Sequence, residues 1–170
     1  MNVLAQVFGI GAMVSLFLLY QQKKRTRMLT AKLSADVFWV AHYLCLGGTA
    51  GAIPNAVGIL RELIFLKRKD ARWAGLVLWP ILFSLINWSL GIASFDSPFD
   101  VLPIAASTFV TISLWIDNPR LTKLISIPVS AAFLAYDIHI GSYIGVINES
   151  IAIGSIVLSF IREHRKEKTL

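Results

Sequence analysis

Two asparagines set in otherwise apolar stretches, Asn55 and Asn148, carry the strongest chemical signal in this chain. An amide placed in hydrocarbon costs roughly 2–7 kcal/mol if it finds no partner. Its two donors and one carbonyl acceptor suit a hydroxylated solute. Two such groups facing each other across a pseudo-two-fold axis would grip a small polyol from both sides. They would equally bond to each other or to nearby backbone and lock two halves together. Glu62 follows Asn55 by seven residues, so on a helix the two share a face within about 20°. Gly58 lies close to that face, where a second helix could approach. Arg61 points elsewhere and is near enough to the helix end to snorkel out or to form a structural pair.

On the preceding stretch, Trp39 lies about 60° from Asp36 and about 40° from Tyr43 around a helix. This makes a polar-aromatic stripe with His42 at its edge. A ring that stacks on a sugar face needs such a Trp; helix packing, or an interfacial belt for Tyr43, is the plainer use. Asp36 follows Lys32 by four, the spacing of a helix-face ion pair. The sharper alternative for Asp36 is a titrating carboxylate coupled to proton movement. Asp137 and His139 fall near the outer end of an apolar stretch, where water would reach them. Ser107 with Thr111, and Ser126 with Ser130, are i,i+4 pairs that pack helices or line a pocket. There is one cysteine, Cys45, and three scattered histidines. No nucleophile–base pair, phosphate-cradling loop or metal-ligand spacing occurs, so no enzyme, cofactor or metal is expected.

The elements that position these residues follow from composition. The chain has 170 residues, 56% of them hydrophobic and 15% charged, with a mean hydropathy of +0.68. Soluble domains carry about 25% charged residues. The net charge of +6 does not signal nucleic acid, because the basic residues form short clusters flanking apolar runs. Acidic lipid headgroups are the expected counterions. A spanning helix needs about 20 mostly apolar residues. Seven candidates occur, at 2–20, 28–47, 50–66, 73–93, 100–116, 121–139 and 142–161.

Lys23, Lys24, Arg25, Arg27 and Lys32 flank the first gap. Lys67, Arg68, Lys69 and Arg72 follow the third span, Arg120 and Lys123 the fifth, and Arg162, Arg165, Lys166 and Lys168 the seventh. The gaps after spans two, four and six have no Lys or Arg, and the fourth holds Asp96 and Asp100. The positive-inside rule then places the N-terminus outside and the C-terminus in the cytoplasm. The first apolar stretch lacks a preceding basic residue and is followed by Gln21-Gln22-Lys23-Lys24-Arg25, the reverse of a secretory signal. It reads as a retained span.

Spans 1–3 and 5–7 match in hydropathy and loop charge at an offset of 93 residues, which brings Tyr43, Gly48 and Asn55 onto Tyr136, Gly141 and Asn148. An odd linker span keeps both halves in one orientation. The expected fold is therefore all-α: a seven-helix membrane protein with bundles at 1–72 and 94–170 joined by a linker helix at 73–93, a parallel 3+1+3 repeat.

Residues Trp39 to Tyr43, followed by Ile53-Pro54-Asn55-Ala56-Val57-Gly58-Ile59-Leu60-Arg61-Glu62-Leu63, resemble spans two and three of SWEET-type sugar transporters. The resemblance implies sugar contact by Trp39 and Asn55, with Glu62 seven residues on and Asn148 as the partner in the second half. The Pro-Gln pair of the wider PQ-loop group is absent. Pro103 has Ile10 opposite it, and position 132, matching Trp39, is Ala. Phe133 is the nearest aromatic for a second pocket wall. More closely, the whole chain resembles YgjV-type bacterial inner-membrane proteins, above all from Leu33-Ser34 through Asn55 to Arg61.

Two functions are expected to compete. One is a SWEET-like transporter of a small neutral polar solute, a sugar or polyol, worked by alternating access. Its site would be Asn55, Asn148, Trp39 and Phe133, with Asp36, Glu62 and Ser130 as coupling or pocket residues. The other is a structural, regulatory or accessory membrane protein that keeps the fold without transport. A polar cavity between the bundles favours the first; direct contact of Asn55 with Asn148 favours the second.

Overall fold

The computed structural model describes residues 3–21, 25–116 and 118–167, and every regular element among them is helical. Seven α-helices follow in order: α1 (Val3–Gln21), α2 (Arg25–Leu46), α3 (Thr49–Leu66), α4 (Leu78–Ala93), α5 (Val101–Ile116), α6 (Pro119–Ile140) and α7 (Tyr143–Glu167). Short 3-10 turns, Arg72–Gly75 and Pro98–Asp100, lead into α4 and α5. Of the basic clusters, Lys23, Lys24 and Lys168 lie outside the described residues, as do the side chains of Arg25, Arg120, Arg162, Arg165 and Lys166.

Burial is inverted relative to a soluble protein. Val7, Val14 and Phe17 of α1, Leu60 and Leu63 of α3, Ile81 and Leu85 of α4 and Ile151 of α7 face outward. Asp36, His42, Arg61, Glu62, Asn87 and Asp137 are enclosed. A water-soluble chain of this size rarely exposes contiguous apolar patches on this scale. α3, the Pro98–Ile116 segment and Leu121–Ile140 are long and apolar enough to cross a membrane. Val3–Leu19, Leu78–Ala93 and Tyr143–Leu158 are apolar but shorter.

The fourth helix starts later than its apolar run. Its first turn contains Pro80, which lacks an N–H where none is needed but whose ring would clash with the carbonyl of Leu76 in a longer helix. The 3-10 turn and the Trp79 indole N–H bond to the Trp73 carbonyl (2.7 Å) fill the remaining reach. At the other end Ser97 and Asp100 form a capping box, with Asp100 Oδ2 accepting from the Asp96 and Ser97 N–H groups. The acidic gap thus starts α5.

The two halves share a turn, and it sets their register. α2 ends at Gly47 (φ +74°) and α6 at Gly141 (φ +71°). At each, a glycine in the left-handed region allows the paired bonds of a Schellman cap. Gly48 N–H donates to the Tyr43 carbonyl and Gly47 N–H to Leu44; Ser142 N–H donates to Asp137 and Gly141 N–H to Ile138. Each pair of equivalent groups is separated by 94 residues (Gly47 to Gly141), not by the 93 that aligned Asn55 with Asn148. At 94, Trp39 meets Phe133, Gly51 meets Gly145, and Asn55 meets Glu149.

α2 packs against α1 and α3, and α6 against α5 and α7. α4 packs on α3 and α5. The halves touch where α3 meets α5 and where α1 meets α7. If α1, α2 and α3 are laid in order on α5, α6 and α7, these two contacts exchange. Small residues make the close approaches: Ala12, Ala35, Ala50 and Ala52 surround Trp39, Tyr43 and Tyr136 in one cluster. A second cluster joins Leu29, Val57, Phe65 and Phe83. Within it Phe65 and Phe83 meet edge to face at 6.2 Å, a pairing worth about 0.5–1.5 kcal/mol beyond area burial.

Candidate functional site

Four charges enter the helix bundle together. Lys32 pairs with Asp36 one helical turn on. Arg61 on α3 donates from Nε and Nη2 to Glu62 Oε1 (3.1 and 2.8 Å) and from Nη1 to Thr111 Oγ1 on α5 (2.8 Å). Its Nη2 also lies 3.9 Å from Asp36 Oδ2. Two acids and two bases cancel, and Arg61 keeps only 2% of its surface exposed. Arg61 does not point away from Glu62, as its helix angle suggested. Its long side chain folds back, because two enclosed carboxylates without a cation would be far costlier than one bent guanidinium. Gly58 admits Asp36 to this cluster: a Cβ there would sit 2.4 Å from Asp36 Oδ2.

Beside the cluster, a cavity of about 530 Å³ lies between the two halves. Met28, Lys32, Thr122 and Lys123 line it at the basic-loop ends of α2 and α6. Trp39, Asn55, Ser130, Phe133 and Glu149 line it further along, with Tyr43 and Pro54. Trp39 stacks on Tyr43 (centroids 5.5 Å apart, planes 25°) and meets the edge of His42. The Asn55 amide donates to the Gly51 carbonyl (2.8 Å), so one donor and its own carbonyl remain for other partners.

The opposite ends of the helices are tied by hydrogen bonds across the halves. Tyr43 donates to Asp137 Oδ1 (3.0 Å), and the Gly51 N–H donates to the Tyr136 hydroxyl (3.0 Å). His42 Nδ1 lies 2.7 Å from the Ala5 carbonyl and Nε2 lies 2.8 Å from Ser142 Oγ. A carbonyl only accepts, so Nδ1 carries a proton, and in the neutral ring Nε2 accepts from Ser142. Tyr136 and His42 occupy equivalent positions at the 94-residue register. Each reaches into the helix–helix turn of the other half.

The sequence-derived candidates are thus divided. Trp39, Asn55, Ser130 and Phe133 line one cavity. Asn148 does not; it is buried and donates to Glu149 Oε1 (2.9 Å). Asp36 and Glu62 are fully enclosed in the charge cluster. Asn55 and Asn148 do not face each other across the cavity, because the true register shifts α7 by one residue, about 100° around the helix. Asp137, expected in water, is enclosed and bonded to Tyr43. His139 is exposed and stacks on Phe99 (4.3 Å, 11°). Ser107, Ser126 and Ser130 line the cavity, whereas Thr111 serves Arg61. Sequence reasoning missed Glu149. The signal for it was the recurring glycine pair, Gly47 and Gly51 against Gly141 and Gly145, at 94.

The sequence profile of Imp-YgjV, described as a bacterial inner membrane protein, matches residues 3–167. The chain belongs to this family. Its place is the bacterial inner membrane, which accounts for the apolar exterior and enclosed charges. No curated protein and no solved structure matches the chain.

Proposed function

We propose that this chain carries a small polar, hydroxyl-bearing solute across the inner membrane, as a transporter and not as an enzyme. All seven helices cross the bilayer, with the N-terminus outside and the C-terminus in the cytoplasm. Residues 1–72 and 94–170 form two bundles of like orientation, and the 73–93 segment links them in a SWEET-like 3+1+3 plan. The exchange of the α3–α5 and α1–α7 contacts between the halves supports that plan.

One observation carries the proposal. The cavity between the halves reaches the basic-loop ends of the helices, while cross-half hydrogen bonds hold the other ends together. This is the shape of a carrier open to the cytoplasm and closed outside. Rocking the halves would break the bonds of Tyr43, Tyr136 and His42 and close the basic end. Trp39 and Phe133 offer rings, and Asn55 and Ser130 offer hydrogen bonds, to a solute between them. The second reading, a static accessory protein, draws on the Arg61–Thr111 bond, which ties the halves near the basic end as well.

The test is uptake by proteoliposomes. Asn55→Ala is expected to abolish uptake of sugars and polyols while the protein stays folded in the membrane. Unchanged uptake by Asn55→Ala removes Asn55 from the site; no uptake of any such solute by the unaltered protein favours the accessory role.

A further inference from the structure

We propose that Glu149 makes this cavity a binding site for a protonated amine, so that the solute is an amino-bearing polyol and not a plain sugar. The proposal rests on the reading that the cavity holds a solute, and it names the solute's class.

Glu149 stands at the position equivalent to Asn55 in the other half. Two asparagines there would make a symmetric site for hydroxyl groups. A carboxylate instead offers only acceptors. Lys32 acts on its charge through space, but that ammonium is already paired with Asp36 one helical turn on. Lys32 is engaged with Asp36, and Arg61 with Glu62 and Thr111, so these four charges cancel without it. The groups holding Glu149 are neutral. Asn148 donates to Oε1 at 2.9 Å, and the Ser130 hydroxyl on α6 lies beside the same carboxylate. Two donors occupy about half of the roughly four lone-pair sites of a carboxylate, leaving acceptors toward the cavity that Glu149 lines.

A carboxylate in a low-dielectric wall is costly until a cation bonds to it directly. An alkylammonium brings three donors and a full charge, and its bond to a carboxylate is charge-assisted. Trp39 and Phe133 line the same cavity, and ring faces attract such a cation further. Asn55 and Ser130 remain to bind hydroxyls on the same molecule.

The test uses the purified full-length protein, calorimetric titration at pH 7, and three probes of similar length: glucamine, sorbitol and N-acetylglucamine. Only glucamine carries a charge. Glucamine is expected to bind at least about tenfold more tightly than the other two, a factor equal to about 1.4 kcal/mol. In Glu149→Gln, which keeps the side-chain shape, the preference is expected to vanish while sorbitol binding stays. The two neutral probes on the unaltered protein keep the test independent of that variant's folding. Equal binding of all three overturns the amine site and leaves a polyol site standing. A glucamine preference retained in Glu149→Gln overturns the role of Glu149. Binding of none overturns the amine site together with the solute cavity beneath it.

Discussion

Replacing Arg61 with Met tests whether the enclosed charge cluster holds the bundle together. Met keeps most of the side-chain length and removes the guanidinium. The change deletes two bonds to Glu62 Oε1 (3.1 and 2.8 Å) and one to Thr111 (2.8 Å). At about 1.5–3 kcal/mol for each charged hydrogen bond, simple addition would exceed 4 kcal/mol. Two of the bonds converge on one oxygen, so they do not add. The better guide is the cost of stranding one member of a buried pair, about 3–5 kcal/mol. Glu62 is the stranded member, with none of its surface exposed, whereas Asp36 keeps Lys32. Unfolding in mixed micelles with rising dodecyl sulfate, followed by far-ultraviolet circular dichroism, measures the loss. Adding Glu62→Gln removes the stranded charge and is expected to recover about 2 kcal/mol or more, since neutral replacement of both partners is far milder than loss of one. A single variant within about 1 kcal/mol of the unaltered protein, or a double variant no better than the single, would refute this reasoning.

Three further outcomes follow from geometry. Gly145→Ala would place a Cβ 2.3 Å from Asp137 Oδ2 and 2.5 Å from Ser142 Oγ, and is expected to lose about 1–3 kcal/mol in the same unfolding measurement. Gly154→Ala meets nothing within 4 Å and is expected to gain about 0.5–1 kcal/mol from helix propensity. In a Cys45→Ser background, Ser126→Cys on the cavity wall is expected to react with a membrane-impermeant maleimide added to the cytoplasmic face. A polar solute that fills the cavity should slow the reaction, and labelling from the outer face alone would reverse the proposed orientation.

The all-helical class was legible because hydrocarbon leaves no other way to satisfy backbone groups within a single segment. Seven apolar runs reappear as seven helices among the described residues, with ends moved by local rules such as Pro80 at the start of α4. The Lys32–Asp36 pair was also legible, since one turn of helix brings i and i+4 together. Trp39, Asn55, Ser130 and Phe133 were found by residue type, because polar and large aromatic side chains stand out in apolar stretches. Asn148 stood out equally and yet turns to Glu149 instead. Residue type alone does not say which way a helix is rotated, and one residue of register is about 100°.

The sequence by itself determined what surrounds this protein. Composition and the spacing of basic clusters depend on transfer from water to lipid, which acts residue by residue and needs no partner. The tertiary structure alone decided which enclosed groups meet. The 94-residue register is set by two helix caps at Gly47 and Gly141. The fate of Arg61 depends on carboxylates from α2 and α3 and a hydroxyl from α5. Tyr43 finds Asp137, and His42 finds Ser142, across about a hundred residues of chain because the halves face each other there. Such pairings are energies of proximity, and proximity between distant residues exists only after the helices have packed.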